Sequence, residues 1–141
     1  MKSVLVINPT VSPDIRRRLA DKLGRGYAVS YVEDLLDAEE GEKLVKVAIA
    51  ESEFLVFVVI PGVEMEPLAW VVEEAKRMGK RIVVVFLENE DVPVPGFVDG
   101  FADAMVGIGS PSFMKAMAGE DVFETPDYQA RPSRTLPRGE C

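Results

Sequence analysis

The sequence predicts a three-layer α/β domain with a doubly wound parallel sheet, and three observations carry that reading. Val4–Asn8 (VLVIN), Phe54–Ile60 (FLVFVVI) and Arg81–Leu87 (RIVVVFL) are apolar, β-branched runs without alternation, as strands buried on both faces require. Stretches with a helical apolar period separate them, so strand and helix alternate along the chain. A chain of 141 residues with 48% hydrophobic content is long enough to cover such a sheet within one domain.

The elements follow in order. After the first strand, Ser12 offers an N-cap and Pro13 the first helical position. Ile15, Leu19 and Leu23 then recur at helical spacing, and Gly24 supplies a left-handed stop. Tyr27, Val29 and Tyr31 alternate with Ala28 and Ser30, so the second strand is half exposed and belongs near a sheet edge. The acidic run Glu33–Glu42 reads as loop plus helix start, and Leu44, Val45, Ala48 and Ile49 give the next helix its apolar stripe. The third strand leads into a loop holding Gly62, Glu64 and Glu66, then a helix from about Pro67 to Met78. Its link to the fourth strand is a right-handed parallel crossover. Pro93, Pro95 and Gly96 mark a loop, Phe97–Ala102 a short helix and Ala104–Ile108 a weaker fifth strand. Ser110 with Pro111 is expected to cap a last helix ending at Gly119. The favoured topology is flavodoxin-like, about five strands in the order 2-1-3-4-5. Residues 1–119 then form the domain, and 120–141 a tail that packs on a neighbour, wraps the domain or stays mobile.

Composition narrows the chemistry. The net charge of −8 and pI near 4.6 argue against a nucleic-acid partner, because phosphate binding needs Lys and Arg. The series Arg16, Arg17, Arg18, Lys22 and Arg25 reads as a solvated helix face. The chain has no His, and its only Cys is Cys141, so neither an intramolecular disulfide nor a zinc site is expected. No metal and no cofactor is called for, and catalysis must rest on carboxylates, hydroxyls and backbone dipoles. The first apolar run ends at Pro9, too short for a signal-peptide core or a membrane span, which predicts a cytoplasmic protein without a membrane partner. The dinucleotide pattern G-x-G-x-x-G is missing after the first strand, as is the G-x-x-x-x-G-K-[ST] loop. The third strand ends in Ile60-Pro61 without the Asp of a phosphoacceptor domain, and the short apolar loop Pro9–Ser12 suits a flavin carrier poorly.

In the predicted strand order the crevice lies between the carboxyl ends of strands 1 and 3. Asn8, Thr10 and Gly62 are therefore candidate ligand contacts, with Ser110, in Gly107-Ile108-Gly109-Ser110, at the rim as part of an anion-binding corner. Asn8, Thr10 and the Ser110 corner each have a plain structural alternative as local caps. Glu66 is the candidate catalytic carboxylate, with Glu64 and Glu74 as alternatives. Pro67 at the first helical position sets Glu66 at or next to the N-cap, where the helix dipole would hold its pKa down. An ionised Glu66 suits a nucleophile or an electrostatic stabiliser of an oxocarbenium-like centre; a capping role without substrate is the other reading. Glu74 lies eight residues on, about 12 Å down the helix. Helical spacing gathers Leu68, Val71, Val72, Ala75 and Gly79 on the sheet side, and Glu66, Trp70, Glu73 and Arg77 on the other. Trp70, Glu73 and Arg77 are thus expected at an interface, with a homo-oligomeric partner; the other reading lays Trp70 along a neighbouring loop or under the C-terminal tail.

These residues resemble a family group. An apolar strand ending in a Pro-containing loop, then ESEFLVFVV, Gly62-x-x-x-Glu66, a helix and GKRIVVV, is similar to nucleoside 2-deoxyribosyltransferase-like proteins and to the related TIR-like domains. The resemblance covers about residues 3–110 in architecture. It implies cleavage of an N-glycosidic bond in a nucleoside or nucleotide, with Glu66 at the sugar carbon and Glu53 at the family's acidic strand-3 start. This sequence departs from the transferase pattern at Leu5, Ile60 and Val63, where that pattern has Tyr, Asp and Thr. Trp70 and Glu74 meet the TIR pattern of a Trp with a Glu four residues on, yet aligning on Ala75 and Gly79-Lys80 puts Val71 at the glutamate. A non-catalytic nucleotide sensor or protein-interaction module on the same fold is the alternative these departures favour.

Overall fold

Five strands form one all-parallel sheet in the order β2-β1-β3-β4-β5, with helices on both faces, in a computed structural model that describes residues 2–7, 12–59, 66–87, 96–120 and 122–124. The strands are β1 (Lys2–Ile7), β2 (Tyr27–Tyr31), β3 (Phe54–Val59), β4 (Arg81–Phe86) and β5 (Ala104–Gly107). The helices are α1 (Pro13–Leu23), α2 (Val32–Leu36), α3 (Gly41–Glu51), α4 (Ala69–Arg77), α5 (Gly96–Asp99) and α6 (Phe113–Met117). This is the flavodoxin-like arrangement. Its register aligns Val4 with Val29 of β2 and with Phe54 of β3, Phe54 with Arg81, and Val83 with Ala104.

Alternation along each strand divides the core into two layers. Leu5, Ile7, Leu55, Phe57, Val59, Ile82, Val84, Phe86 and Met105 meet Val45, Ile49, Val71, Val72, Ala75 and Val98 from α3, α4 and α5. Val4, Val6, Val56, Val58, Val83, Val85 and Val106 point the other way, toward Leu19 and Leu23 of α1 and Phe113 and Met117 of α6. Covering both faces explains why the central strands are uninterrupted in apolar character. β2, at the edge, keeps the half-exposed alternation its sequence announces.

α1 starts and stops as expected. Ser12 Oγ accepts from Ile15 N–H at 3.3 Å, Pro13 opens the helix, and Gly24 leaves it at φ 76°. Elsewhere tertiary packing moves the boundaries. The start of the acidic run Glu33–Glu42, read as loop plus helix start, forms a separate helix with Val32, α2, because Val32 is fully buried and Leu35 and Leu36 pack on the core. α3 then begins at Gly41, where a Cβ would sit 2.7 Å from Leu35 O and from Leu36 Cα; only glycine lets the two helices close. Leu44, assigned to the buried stripe, is 41% exposed, and Gly41, Val45 and Ile49 make the buried face instead. α5 starts at Gly96 and ends at Asp99, short of Ala102. The last helix begins at Phe113 rather than behind a Ser110 cap, and it ends at Met117. Residues 122–124 run parallel to β5: Met105 N–H donates to Val122 O at 2.6 Å, and Glu124 N–H donates to Met105 O at 2.9 Å. The expected domain end at 119 falls just before this added edge; residues 125–141 lie outside the described ones. Among the described residues no helix is long and apolar enough to cross a membrane.

Candidate functional site

β1 lies between β2 and β3, so the chain leaves β1 toward one face and β3 toward the other. The carboxyl ends of these two strands, Ile7 and Val59, therefore flank the switch point of the sheet. Four of the expected site residues, Asn8, Thr10, Gly62 and Glu64, belong to the connections leaving these ends and lie outside the described residues. Glu66 is described. It is exposed and opens a 3-10 turn, Glu66–Leu68, on the way from β3 to α4.

The position of Glu66 differs in detail from the sequence expectation. The N-cap of α4 is Leu68, which makes no side-chain cap bond, so Glu66 stands two residues ahead of the cap. The reason is local. Pro67 fixes φ and donates no hydrogen bond, while Leu68, only 4% exposed, is drawn into the core and tightens the turn. The carboxylate is thereby carried on a short anchored turn with its own side chain in solvent.

Beside the switch point, at the carboxyl end of β2, stands a charged cluster that sequence reading dissolved into a solvated helix face. Arg16 of α1 grips Asp34 with both terminal nitrogens, at 2.8 and 2.7 Å, and reaches Glu33 at 3.1 Å. Its guanidinium lies 4.0 Å from the centre of the Tyr31 ring. Hydrogen bonding to Arg16 holds the Asp34 carboxyl below its ordinary value, and burial pushes the Tyr31 hydroxyl up against the opposing field of Arg16. The available signal was the end of an alternating strand followed directly by Glu33-Asp34, one helix away from a cationic turn.

At the far rim, Ser110 is 2% exposed and its Oγ donates to Glu124 Oε2 at 2.9 Å. Gly107 N–H donates to Glu124 Oε1 at 3.3 Å. The expected anion corner thus holds a carboxylate of the same chain, and Ser110 is not brought together with Glu66 by any contact among the described residues.

The expected interface residues do meet. Trp70, Glu73, Glu74 and Arg77 of α4 join Glu42 and Lys46 of α3 around a surface cavity of about 480 Å³. Trp70 is half-buried and packs on the core cluster while lining this groove, so it does not stand wholly opposite the core face. Arg77 forks onto Glu74, with Nε to Oε2 at 3.1 Å; this hydrogen bond, with help from Lys46, holds the Glu74 carboxyl below its ordinary value. Glu74 is therefore an ionised, engaged carboxylate far down α4 from the strand ends.

Compared with family models, with curated proteins and with solved structures, the chain shows no match to any of them.

Proposed function

We propose that the protein handles a nucleoside or nucleotide at the crevice between the carboxyl ends of β1 and β3, with Glu66 facing the sugar. The observation that carries this reading is the exposed carboxylate on the turn that leads into α4, on the connection from the strand that borders the switch point. Fold alone does not decide chemistry, so the weight rests on that placement together with the Gly62-to-Glu66 spacing. In the catalytic form of the proposal, the Glu66 carboxylate attacks the anomeric carbon as the C–N bond breaks. A nucleobase departs with the bonding electrons and takes a proton from water, whereas nicotinamide leaves as the neutral ring. A second water, or a second base, then attacks the glycosyl ester and returns the carboxylate. Purified protein is expected to release free base from nucleosides, deoxynucleotides or a nicotinamide dinucleotide, and Glu66→Gln to abolish release with an unchanged circular dichroism spectrum. A broad substrate panel with no base release from the wild type removes the catalytic form.

A second reading has its own observation, the mixed-charge groove between α3 and α4 with half-buried Trp70 in its wall. In this reading the fold serves as an interaction module and pairs with a second copy through α4, using Trp70, Glu73 and Arg77. Light scattering across a concentration series decides it: a concentration-dependent dimer that Trp70→Ala dissociates is expected, and monomers for both proteins dispose of the reading. Nucleotide thermal-shift screening separates the two proposals, since a ligand at 100 times its Kd stabilises by about 2.7 kcal/mol.

A further inference from the structure

Glu124 is a buried acid that neither reading above employs. It is 8% exposed, and among the described residues its carboxylate forms no ion pair with Lys or Arg. Neutral donors hold it instead, one per oxygen: Gly107 N–H on Oε1 at 3.3 Å and Ser110 Oγ–H on Oε2 at 2.9 Å. Ser110 is oriented for this task, because its Oγ accepts from Ser112 N–H at 3.0 Å and so turns its own hydrogen to the carboxylate. The acid arrives on residues 122–124, which add to the β5 edge through two backbone hydrogen bonds with Met105. Phe123 packs on one core layer and Val122 on the other. Backbone pairing with side-chain read-out on both faces is how an extended peptide binds a sheet edge.

We infer that the Gly107–Ser110 corner is a carboxylate-binding site that the chain keeps filled with its own Glu124. A free carboxylate occupies it only by displacing the Glu124 side chain. A tethered ligand competes at an effective concentration of roughly millimolar or more, so the wild type resists displacement and a variant lacking the acid does not. This inference is independent of what binds beside Glu66.

The test uses the full chain. Glu124→Ala is expected to gain several degrees of melting temperature in acetate over chloride at equal ionic strength, and its Gly107 amide resonance to shift on acetate titration. The wild type is expected to show neither response, and Ser110→Ala with Glu124→Ala to lose both. A folded Glu124→Ala protein indifferent to acetate, or one matched by the wild type, overturns the inference; inorganic phosphate acting as strongly as acetate overturns the carboxylate assignment. Should Glu124→Ala not fold, Glu124→Gln keeps the side-chain volume while removing the charge. Its Gly107 amide should then shift on acetate titration over a range in which the wild type stays silent, because bonds to a charged acceptor are roughly twice as strong as neutral ones. A Glu124→Gln amide as indifferent to acetate as that of the wild type again overturns the inference.

Discussion

Two ion pairs at opposite ends of the sheet show how differently the molecule uses charge. At the amino ends, Lys76 Nζ meets Asp103 Oδ2 at 2.5 Å, with both side chains only 10% exposed. At the carboxyl ends, Arg16 meets Asp34 at 2.7 Å, yet the Asp34 side chain is 56% exposed. The first pair is embedded in further bonds. Asp103 Oδ2 also accepts from Ile82 N–H, Lys76 Nζ donates to Lys80 O, and Lys80 Nζ ties down Ala50 O and Ser52 O behind α3. Arg81 Nη2 does the same for Ala116 O and Glu120 O behind α6. One end is a floor in which helix termini and strand starts are stitched together. The other leaves Glu66 and Asp34 facing water. Buried pairing of this kind is costly to break from one side, whereas an exposed fork contributes little and is open to exchange of partners.

The largest effect should come from breaking the floor. Asp103→Ala removes the buried acid that Lys76 pairs with and takes a partner from Ile82 N–H, and about 3–5 kcal/mol is expected from denaturant midpoints. Lys76→Met with Asp103→Leu should recover most of that loss; a single-mutant cost under about 1 kcal/mol would put the two pairs in one class. Next comes Gly41→Ala, which forces α3 away from α2 and so shifts the helix that carries Glu33 and Asp34. A loss of about 1–3 kcal/mol in thermal unfolding is expected, together with weaker Arg16 pairing.

A smaller effect belongs to the exposed fork itself. Asp34 has its folded pKa held below the ordinary 3.8, so its contribution is fully present above that value and fades as pH falls through the lower folded one. Arg16→Gln should therefore cost under about 1 kcal/mol at neutral pH, with the difference from wild type closing in acid and in high salt. A gap that persists unchanged at low pH assigns the effect to packing on Tyr31. Least of all, Glu66→Gln should leave stability within about 0.5 kcal/mol, because the side chain is exposed; a larger change reveals a structural duty at the proposed ligand site.

Why the layers and strand order could be read in advance is visible in β1, β3 and β4, whose β-branched runs admit no other burial pattern. Ser12, Pro13 and Gly24 likewise mark α1 through bonds that span only a few residues. What escaped depends on distance in sequence. α2 is five residues long and acidic, and it exists because Val32 is buried and Gly41 lets α3 approach. Leu44 shares a helical stripe with Val45 and Ala48, yet which flank of α3 is covered depends on its packing against the core and α4, not on period. Arg16 looked like one cation of five until Asp34, eighteen residues on, claimed it. At Ser110 the sequence suggested an anion, and the ion proved to be Glu124, fourteen residues on and beyond the expected domain end.

The place of residues 122–124 has a consequence for how the protein is made. Met105 N–H and C=O, facing outward on β5, find their partners only after Val122 and Glu124 have been synthesised. On the ribosome, every earlier element can settle while that border of the sheet stays bare, a template on which nascent chains can adhere to one another. Chains released before position 122 should therefore clump where the longer chain does not.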